Sequence, residues 1–138
     1  MADTASVVER LVAATNAHDL DALVDCFTDD FVNETPAHPP RGFRGREQVR
    51  RNWSAIFAAV PDLTARVVAS AVDGTTAWTE WEMRGTRRDG APHLMAGVIV
   101  FERDADRFKA ARFFLEPVES ASGDVDAAVD RLTSSPRP

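Results

Sequence analysis

The sequence is poor in several reactive side chains. Its 138 residues include one cysteine, Cys26, one lysine, Lys109, and no tyrosine. A single cysteine excludes both an intrachain disulfide and a zinc site built on several cysteines. Schiff-base chemistry has only one candidate lysine. The longest apolar runs, such as residues 96–101, are far shorter than the roughly 20 residues that span a bilayer.

Positive charge is also in deficit, with 16 basic residues against 22 acidic ones and a net charge of −6. Nucleic acids and anionic membranes are polyanions, so this balance disfavours both as main partners. No basic and apolar leader opens the sequence, and we therefore expect a cytoplasmic protein. The composition, 44% hydrophobic and 28% charged, together with the length, predicts one folded domain.

Helical spacing of apolar residues dominates the first sixty positions. It predicts three helices, the first capped at Thr4 or Ser6 and ending at about residue 15, the others over residues 19–27 and 46–59. The third helix ends before Pro61, which disfavours helical geometry in the residue before it. A short strand over residues 31–35 and a proline-rich surface loop over residues 36–42 separate the second and third helices.

After the third helix the period changes to two. This pattern predicts four strands, over residues 63–71, 75–87, 93–102 and 107–116. Helices followed by strands indicate an α+β fold, a cone-shaped curved antiparallel sheet with three N-terminal helices packed over one face. The domain covers residues 1–119, and residues 120–138 form a tail. Apolar residues in that tail have helical spacing, so a short helix and disorder both stay open.

A deeply curved sheet closed by helices leaves a pocket, which is the expected ligand site. The chemistry depends on which face of the 75–87 strand lines it, because side chains alternate. One face carries Trp78, Glu80, Glu82 and Arg84, and the other carries Thr79, Trp81 and Met83. Periodicity leaves both faces open. A solvated, salt-bridged face is the simpler interpretation of the two glutamates.

Several short motifs resemble the SnoaL-like branch of the nuclear transport factor 2-like superfamily, over about residues 7–119. These motifs are residues 16–23, Phe27 with residues 30–32, and residues 43–49, 60–63 and 85–86. The resemblance implies a cone-shaped, cystatin-like α+β barrel, commonly dimeric. In different members its pocket serves polyketide cyclisation, steroid isomerisation, epoxide hydrolysis or ligand binding. The motifs are mainly structural, so they identify the fold better than the activity.

The catalytic residues of these relatives transfer poorly. Where SnoaL-like cyclases often have a pocket histidine and limonene-type epoxide hydrolases an amide, this chain has Glu34, which the resemblance therefore places inward. The Arg and Asp of those hydrolases fall at Glu80 and Glu82, and their second Asp falls at Phe113, so that triad is absent. Steroid isomerases need a tyrosine that this chain lacks, and their pocket Asp falls at Gly97.

The resemblance favours the face of Trp78 as the pocket lining. It implies Glu34, Glu80 and Glu82 as catalytic residues, at least one with a raised pKa, because buried carboxylates resist ionisation together. Pairing with Arg84 or Arg44 would instead make the carboxylates structural. The implied substrate-binding residues are Trp53, Phe57, Trp78, Arg84, His93, Met95, Phe113 and Leu115. On the last strand, Arg112, Phe114 and Glu116 would point outward.

The resulting hypothesis is a cyclase, isomerase or hydrolase that acts on a small hydrophobic, oxygenated molecule without cofactor or metal. The alternatives are a non-catalytic binder and a dimeric interaction module. We expect a homodimer through the sheet, with Trp81 in the interface if it faces outward. We expect His38 to be solvated and Cys26 to be buried and inert. If Glu80 and Glu82 face water, the hypothesis loses its catalytic residues.

Overall fold

Four helices and six strands make up residues 3–134, the part of the chain that the computed structural model describes. Residues 1–2 and 135–138, at the ends of the predicted domain and tail, lie outside it. In chain order the elements are α1 (Thr4–Ala17), α2 (Leu20–Val24), β1 (Phe27–Glu34), a 3₁₀ turn (Pro39–Arg41), β2 (Phe43–Arg44), α3 (Arg46–Ala59), β3 (Thr64–Asp73), β4 (Thr76–Thr86), β5 (Pro92–Asp104), β6 (Arg107–Pro117) and α4 (Val125–Thr133).

All six strands belong to one curved sheet, in the order β2-β1-β6-β5-β4-β3. Strands β3 to β6 form an antiparallel meander, as predicted. β1 instead pairs with β6 in parallel, which corrects the expectation of a wholly antiparallel sheet. Parallel neighbours need a long crossover, and here α3 and four strands separate the two in the chain. α1 packs on β3 and β4, and α3 packs on β1.

A side-chain cap and a left-handed residue mark the two ends of α1. Asp3 caps its N-terminus, accepting a hydrogen bond from the Ser6 amide at 2.7 Å. Val7, Leu11 and Ala14 form its buried stripe, which packs into the core. The helix ends at His18, whose φ of 53° is left-handed. The predicted position of α1 is therefore confirmed, but its cap is Asp3 rather than Thr4 or Ser6, and its end lies two residues later, at Ala17.

The edge strand β3 is anchored to α1 by the side chain of Asn16. Its Nδ2 donates to the carbonyl of Ala65 at 2.9 Å, and its Oδ1 accepts from the Ala65 amide at 2.7 Å. His18 Nε2 lies 2.8 Å from the Leu63 carbonyl. The Asn16 amide thus takes the place of a missing strand partner at this edge. The motif at residues 16–18 has a structural role.

Cys26 is buried, as expected, with none of its surface exposed. Its Sγ donates to the Ala22 carbonyl at 3.5 Å. Burial raises the pKa of the thiol, and only the thiolate is strongly nucleophilic. We expect dithionitrobenzoate to label the native protein about 100-fold more slowly than the chain unfolded in guanidinium, because labelling requires local opening. Equal labelling rates in the two states would contradict this prediction.

Candidate functional site

An apolar cavity of about 240 Å³ opens between the helices and the concave face of the sheet. Its wall is largely aromatic and includes Phe27, Phe31, Trp53, Trp81, Phe101 and Phe113. At about 30 Å³ for each water molecule, the volume equals that of about eight waters, enough for a small ring system. A mainly apolar cavity with a few polar groups is the usual form of a small-molecule site.

The side of β4 that faces the cavity is the side of Trp81. Trp81 is 1% exposed, whereas Trp78 is 50% exposed. The indole N–H of Trp81 donates to Thr79 Oγ1 at 2.7 Å, and that hydroxyl donates to the Ile99 carbonyl at 2.6 Å. Both buried polar groups are therefore satisfied. The prediction that the face of Trp78 lines the pocket is wrong.

The neighbour of Trp81 in the sheet is a glycine. Gly97 lies on β5, opposite Trp81 of β4 and opposite Leu115 of β6. Its φ is 150°, and a Cβ built at this position would collide with the carbonyl oxygen of Phe114. The position that aligns with a pocket Asp of the steroid isomerases therefore has no room for a side chain.

The three predicted catalytic glutamates do not meet in the cavity. Glu80 is exposed on the outer face of the sheet, and Glu34 is exposed at the end of β1. Glu82, on the same face as Glu80, accepts from Arg66, with its Oε2 at 2.9 Å from Nε and 2.8 Å from Nη2. A one-residue error in phase moves every side chain of a strand to the other face. The prediction of a shared carboxylate site is wrong for this reason.

Three of the eight predicted substrate-binding residues line the cavity: Trp53, Phe113 and Leu115. Their contact with a substrate stays a prediction. Two others, Trp78 and Arg84, lie exposed on the outer face. There the Arg112 guanidinium lies 5.8 Å from the centre of the Trp78 ring, a cation–π distance.

The remaining three lie outside the cavity wall. Phe57 stacks on His18, with ring centroids 4.5 Å apart. Met95 packs against the core. His93 is half-buried, and burial, followed by the charge of Arg87, lowers its pKa. None of these three side chains lines the cavity.

A polar strip that the sequence reasoning missed follows the ends of β1 and β6 to the mouth of the cavity. Asn33 and Thr35 line it and are buried, and Asn33 Nδ2 lies 3.4 Å from Thr35 Oγ1. Glu116 and Arg41 line it further out. Glu116 Oε1 lies 3.0 Å from His38 Nε2, and its Oε2 lies 3.8 Å from Arg41 Nη1. One carboxylate therefore stands between an imidazole and a guanidinium.

Some of this strip had a signal in the sequence. The resemblance placed Glu34 at the inward position of the first strand, but Glu34 is exposed and the residue before it, Asn33, is the buried one. Glu116, predicted to point outward, lies beyond the point where β1 stops pairing with β6 at Arg112. Beyond that point the 35–42 segment, rather than a strand, lies beside β6. The Glu116 carboxylate contacts His38 and Arg41 of this segment. His38 was predicted to be solvated. Its backbone N–H donates to the Thr35 carbonyl at 2.8 Å, and its imidazole faces Glu116.

Within residues 3–134, no cluster of three or more His, Cys, Asp or Glu is placed to hold a metal ion. None of the helices in this part of the chain combines the length and apolar character of a membrane span.

The outer face of the sheet presents exposed apolar side chains, among them Trp78, Leu94 and Phe114. Trp81, a candidate interface residue only if it faced outward, is buried on the other side. The homodimer through the sheet stays a prediction, and Trp78 takes the place of Trp81 in it.

A family model described as a SnoaL-like domain matches residues 8–113. IdmH of Streptomyces antibioticus, a candidate polyketide cyclase, is 23% identical with a TM-score of 0.70, over 82% of this chain and 91% of IdmH. An LEH-like epoxide hydrolase of M. tuberculosis is 20% identical with a TM-score of 0.68, over 80% of each chain. A protein of Catenulispora acidiphila with a ketosteroid isomerase-like fold, in complex with trimethylamine, is 17% identical with a TM-score of 0.69, over 86% of this chain and 88% of that one.

No curated protein matches the chain. At these identities the solved structures show the fold alone, and the fold is the one that the strand order and helix packing describe. The family match covers most of the chain. The chain belongs to the SnoaL-like family.

Proposed function

We propose that this protein binds a small hydrophobic, oxygenated molecule in the cavity and acts on it by acid–base chemistry at Glu116. The observation that carries the proposal is the position of that carboxylate, which lines the mouth of an apolar cavity and lies 3.0 Å from His38. A carboxylate that borders an apolar site and is held by a neighbouring imidazole is suited to proton transfer. Glu116 takes over the role that the sequence reasoning assigned to three other glutamates.

The polar strip supports removal of a proton next to a carbonyl group. In this step Glu116 accepts the proton of the C–H bond, and the electron pair of that bond forms the enolate. Asn33 and Thr35 would donate hydrogen bonds to the enolate oxygen, since an amide nitrogen carries two donors and only one of them faces Thr35. Returning the proton to a different carbon gives an isomerisation, and attack of the enolate on a second carbonyl gives a cyclisation.

The aromatic wall would hold the rest of the molecule. Seven aromatic side chains around the cavity offer apolar area and few competing hydrogen-bond partners. An apolar lining also displaces water, which strengthens the electrostatic effect of each polar group. The related structures include a candidate polyketide cyclase and an epoxide hydrolase, and this range supports small-molecule chemistry in the fold without selecting the reaction.

A test of the proposal is deuterium exchange. The full chain is incubated in deuterated water with a panel of cyclic and bicyclic ketones, and mass spectrometry measures deuterium incorporated next to the carbonyl. We expect at least one ketone of the panel to exchange about 100-fold faster with the protein than in buffer alone, as for a positioned general base. Exchange rates equal to those in buffer for every ketone would contradict an enzymatic role.

A non-catalytic binder is the second candidate, and the contact between Glu116 and Arg41 favours it. Pairing with a guanidinium would give the carboxylate a structural role, although the 3.8 Å separation makes this ion pair long. If the protein only binds its ligand, a ketone of the panel should quench or shift the fluorescence of Trp53, which lines the cavity. The rate of deuterium exchange should then equal that in buffer.

A further inference from the structure

Asn52 is a polar side chain of the cavity wall that lies outside the polar strip at the mouth. It belongs to α3 and is half-buried, whereas the strip follows the ends of β1 and β6. Its Oδ1 accepts a hydrogen bond from Gln48 Nε2 at 2.8 Å. Within residues 3–134 its Nδ2 donates to no protein group. The side chain therefore has free N–H groups, and no free oxygen, to offer a ligand.

The direction of this hydrogen bond is fixed by an arginine. Arg51 Nη2 donates to Gln48 Oε1 at 2.7 Å. A guanidinium only donates, so Gln48 must turn its oxygen to Arg51 and its NH2 group to Asn52. Asn52 must then accept with its own oxygen, which leaves its NH2 group for the cavity. The nitrogen and oxygen of each amide are assigned by this chain of bonds rather than by shape.

Helical spacing brings the three side chains together. Gln48 and Asn52 are four residues apart on α3, and Gln48 and Arg51 are three apart, the two separations at which side chains of one helix meet. Neither Gln48 nor Arg51 lines the cavity. They can therefore act on a ligand only through Asn52, and each hydrogen bond of such a chain polarises the next.

Two other polar groups of the cavity wall are already engaged. Thr15 Oγ1 donates to the Leu11 carbonyl at 2.8 Å, and the indole N–H of Trp81 donates to Thr79. The rest of the wall is largely apolar. A carbonyl group buried in an apolar wall without a partner is costly, so the free N–H groups of Asn52 would favour one position for a ligand oxygen.

We propose that Asn52 is a specificity-determining residue of the cavity. It selects ligands that carry a hydrogen-bond acceptor, such as a carbonyl oxygen, on the side of α3, in addition to the group that meets Glu116. Gln48 and Arg51 are positioning residues that keep the NH2 group of Asn52 toward the ligand. The proposal rests on the cavity being the ligand site proposed above, but its test measures binding and requires no turnover.

The probes for this test are bicyclic ketones of one carbon skeleton. They are a decalone, with one carbonyl group, and a panel of decalindiones with a second carbonyl at different ring positions. NMR titration of the isotope-labelled full chain gives the Kd of each probe. The Kd of the decalone divided by that of a decalindione measures the preference for the second carbonyl. A change in this ratio between two protein variants isolates the contact with the replaced residue, as in a double-mutant cycle.

We expect at least one decalindione for which Asn52→Leu lowers the ratio by about fivefold, the contribution of one hydrogen bond between uncharged groups. In the parent protein the side-chain NH2 signals of Asn52 should shift when that decalindione is added. Their absence from the spectrum of Asn52→Leu identifies them.

Gln48→Glu tests the direction of the chain without altering the cavity wall. The introduced carboxylate only accepts, so it would take the NH2 group of Asn52 as donor and turn the amide oxygen toward the ligand. The ratio should then fall at least as far as in Asn52→Leu, because two acceptors face each other. Arg50→Gln is the matched control, since it also makes α3 more negative by one charge, and Arg50 contacts Asp21 rather than the cavity. Its ratio should equal that of the parent protein.

Thermal unfolding and far-UV circular dichroism verify that the variants are folded. Ratios that stay unchanged in Asn52→Leu for every decalindione would overturn the proposal, even if the ketones bind. A fall in Asn52→Leu without one in Gln48→Glu, or an equal fall in Arg50→Gln, would overturn the positioning roles.

The same measurements distinguish this proposal from the proposed function. If the ratios change as expected while no ketone exchanges deuterium, the role of Asn52 is supported and only the proposed chemistry fails. If no probe shifts any resonance of the cavity wall, the role of Asn52 and the ligand site are overturned together.

Discussion

Replacing Glu116 with Gln is expected to lower the rate of ketone exchange by about 10²–10⁴-fold, the usual contribution of a positioned general base. The substitution keeps the shape of the side chain while removing its charge and basicity, and it replaces one of the two acceptor oxygens by an NH2 donor. Ligand affinity, measured by the change in Trp53 fluorescence, should change by less than about tenfold, since the aromatic wall supplies most of the contact area. The loss should therefore appear in the rate of the chemical step.

Glu82→Gln is the matched control for Glu116→Gln. Glu82 also stands on a long strand and also contacts an arginine, Arg66, but it lies on the outer face of the sheet. Its replacement should leave the exchange rate unchanged. A rate lost in Glu82→Gln and retained in Glu116→Gln would restore the outer face as the site and contradict the role of Glu116.

The second large effect concerns stability. Trp81→Ala should lower the free energy of unfolding by about 3–5 kcal/mol, the range observed for truncation of large buried aromatic residues. The indole is 1% exposed and packs in the core, so its removal leaves a cavity and also removes the donor to Thr79. Guanidinium denaturation followed by far-UV circular dichroism measures the change.

Trp78→Ala is the matched control for Trp81→Ala, three residues away on the same strand. Trp78 is 50% exposed and contacts Arg112 across the outer face, so its removal should cost about 1 kcal/mol or less. The ordering of the two variants tests the orientation of β4 directly. A larger loss from Trp78→Ala than from Trp81→Ala would mean that the faces are reversed.

The sequence predicted helices and strands well where glycine or proline residues lie next to their ends. α3 spans Arg46–Ala59, as predicted, because a glycine precedes it and Pro61 follows closely. The prediction for α2 was too long: the helix ends at Val24, and β1 already begins at Phe27. Apolar residues around Phe27 fit a helix or a buried strand equally well by spacing, and the pairing of Phe27 with Phe108 on β6 selected the strand.

The phase of alternation was harder to predict than the strands themselves. A strand of β4's length shows clearly that its side chains alternate, but both Trp78 and Trp81 are large and apolar enough to occupy a core. A one-residue shift exchanges the two faces. Which face is buried depends on packing against helices and strands distant in the chain, and no local pattern records it.

From the sequence alone came the order of elements, the α+β class, the SnoaL-like family and the existence of a pocket, because each follows from periodicity, punctuation residues and short motifs that act locally. The tertiary structure alone decided which polar groups border that pocket. Asn33 and Thr35 border the same cavity as Glu116, and the parallel pairing of β1 with β6, distant in the chain, brings these segments to one side of it. Periodicity specifies that neighbouring side chains point to opposite sides, whereas packing between distant segments determines which side is buried.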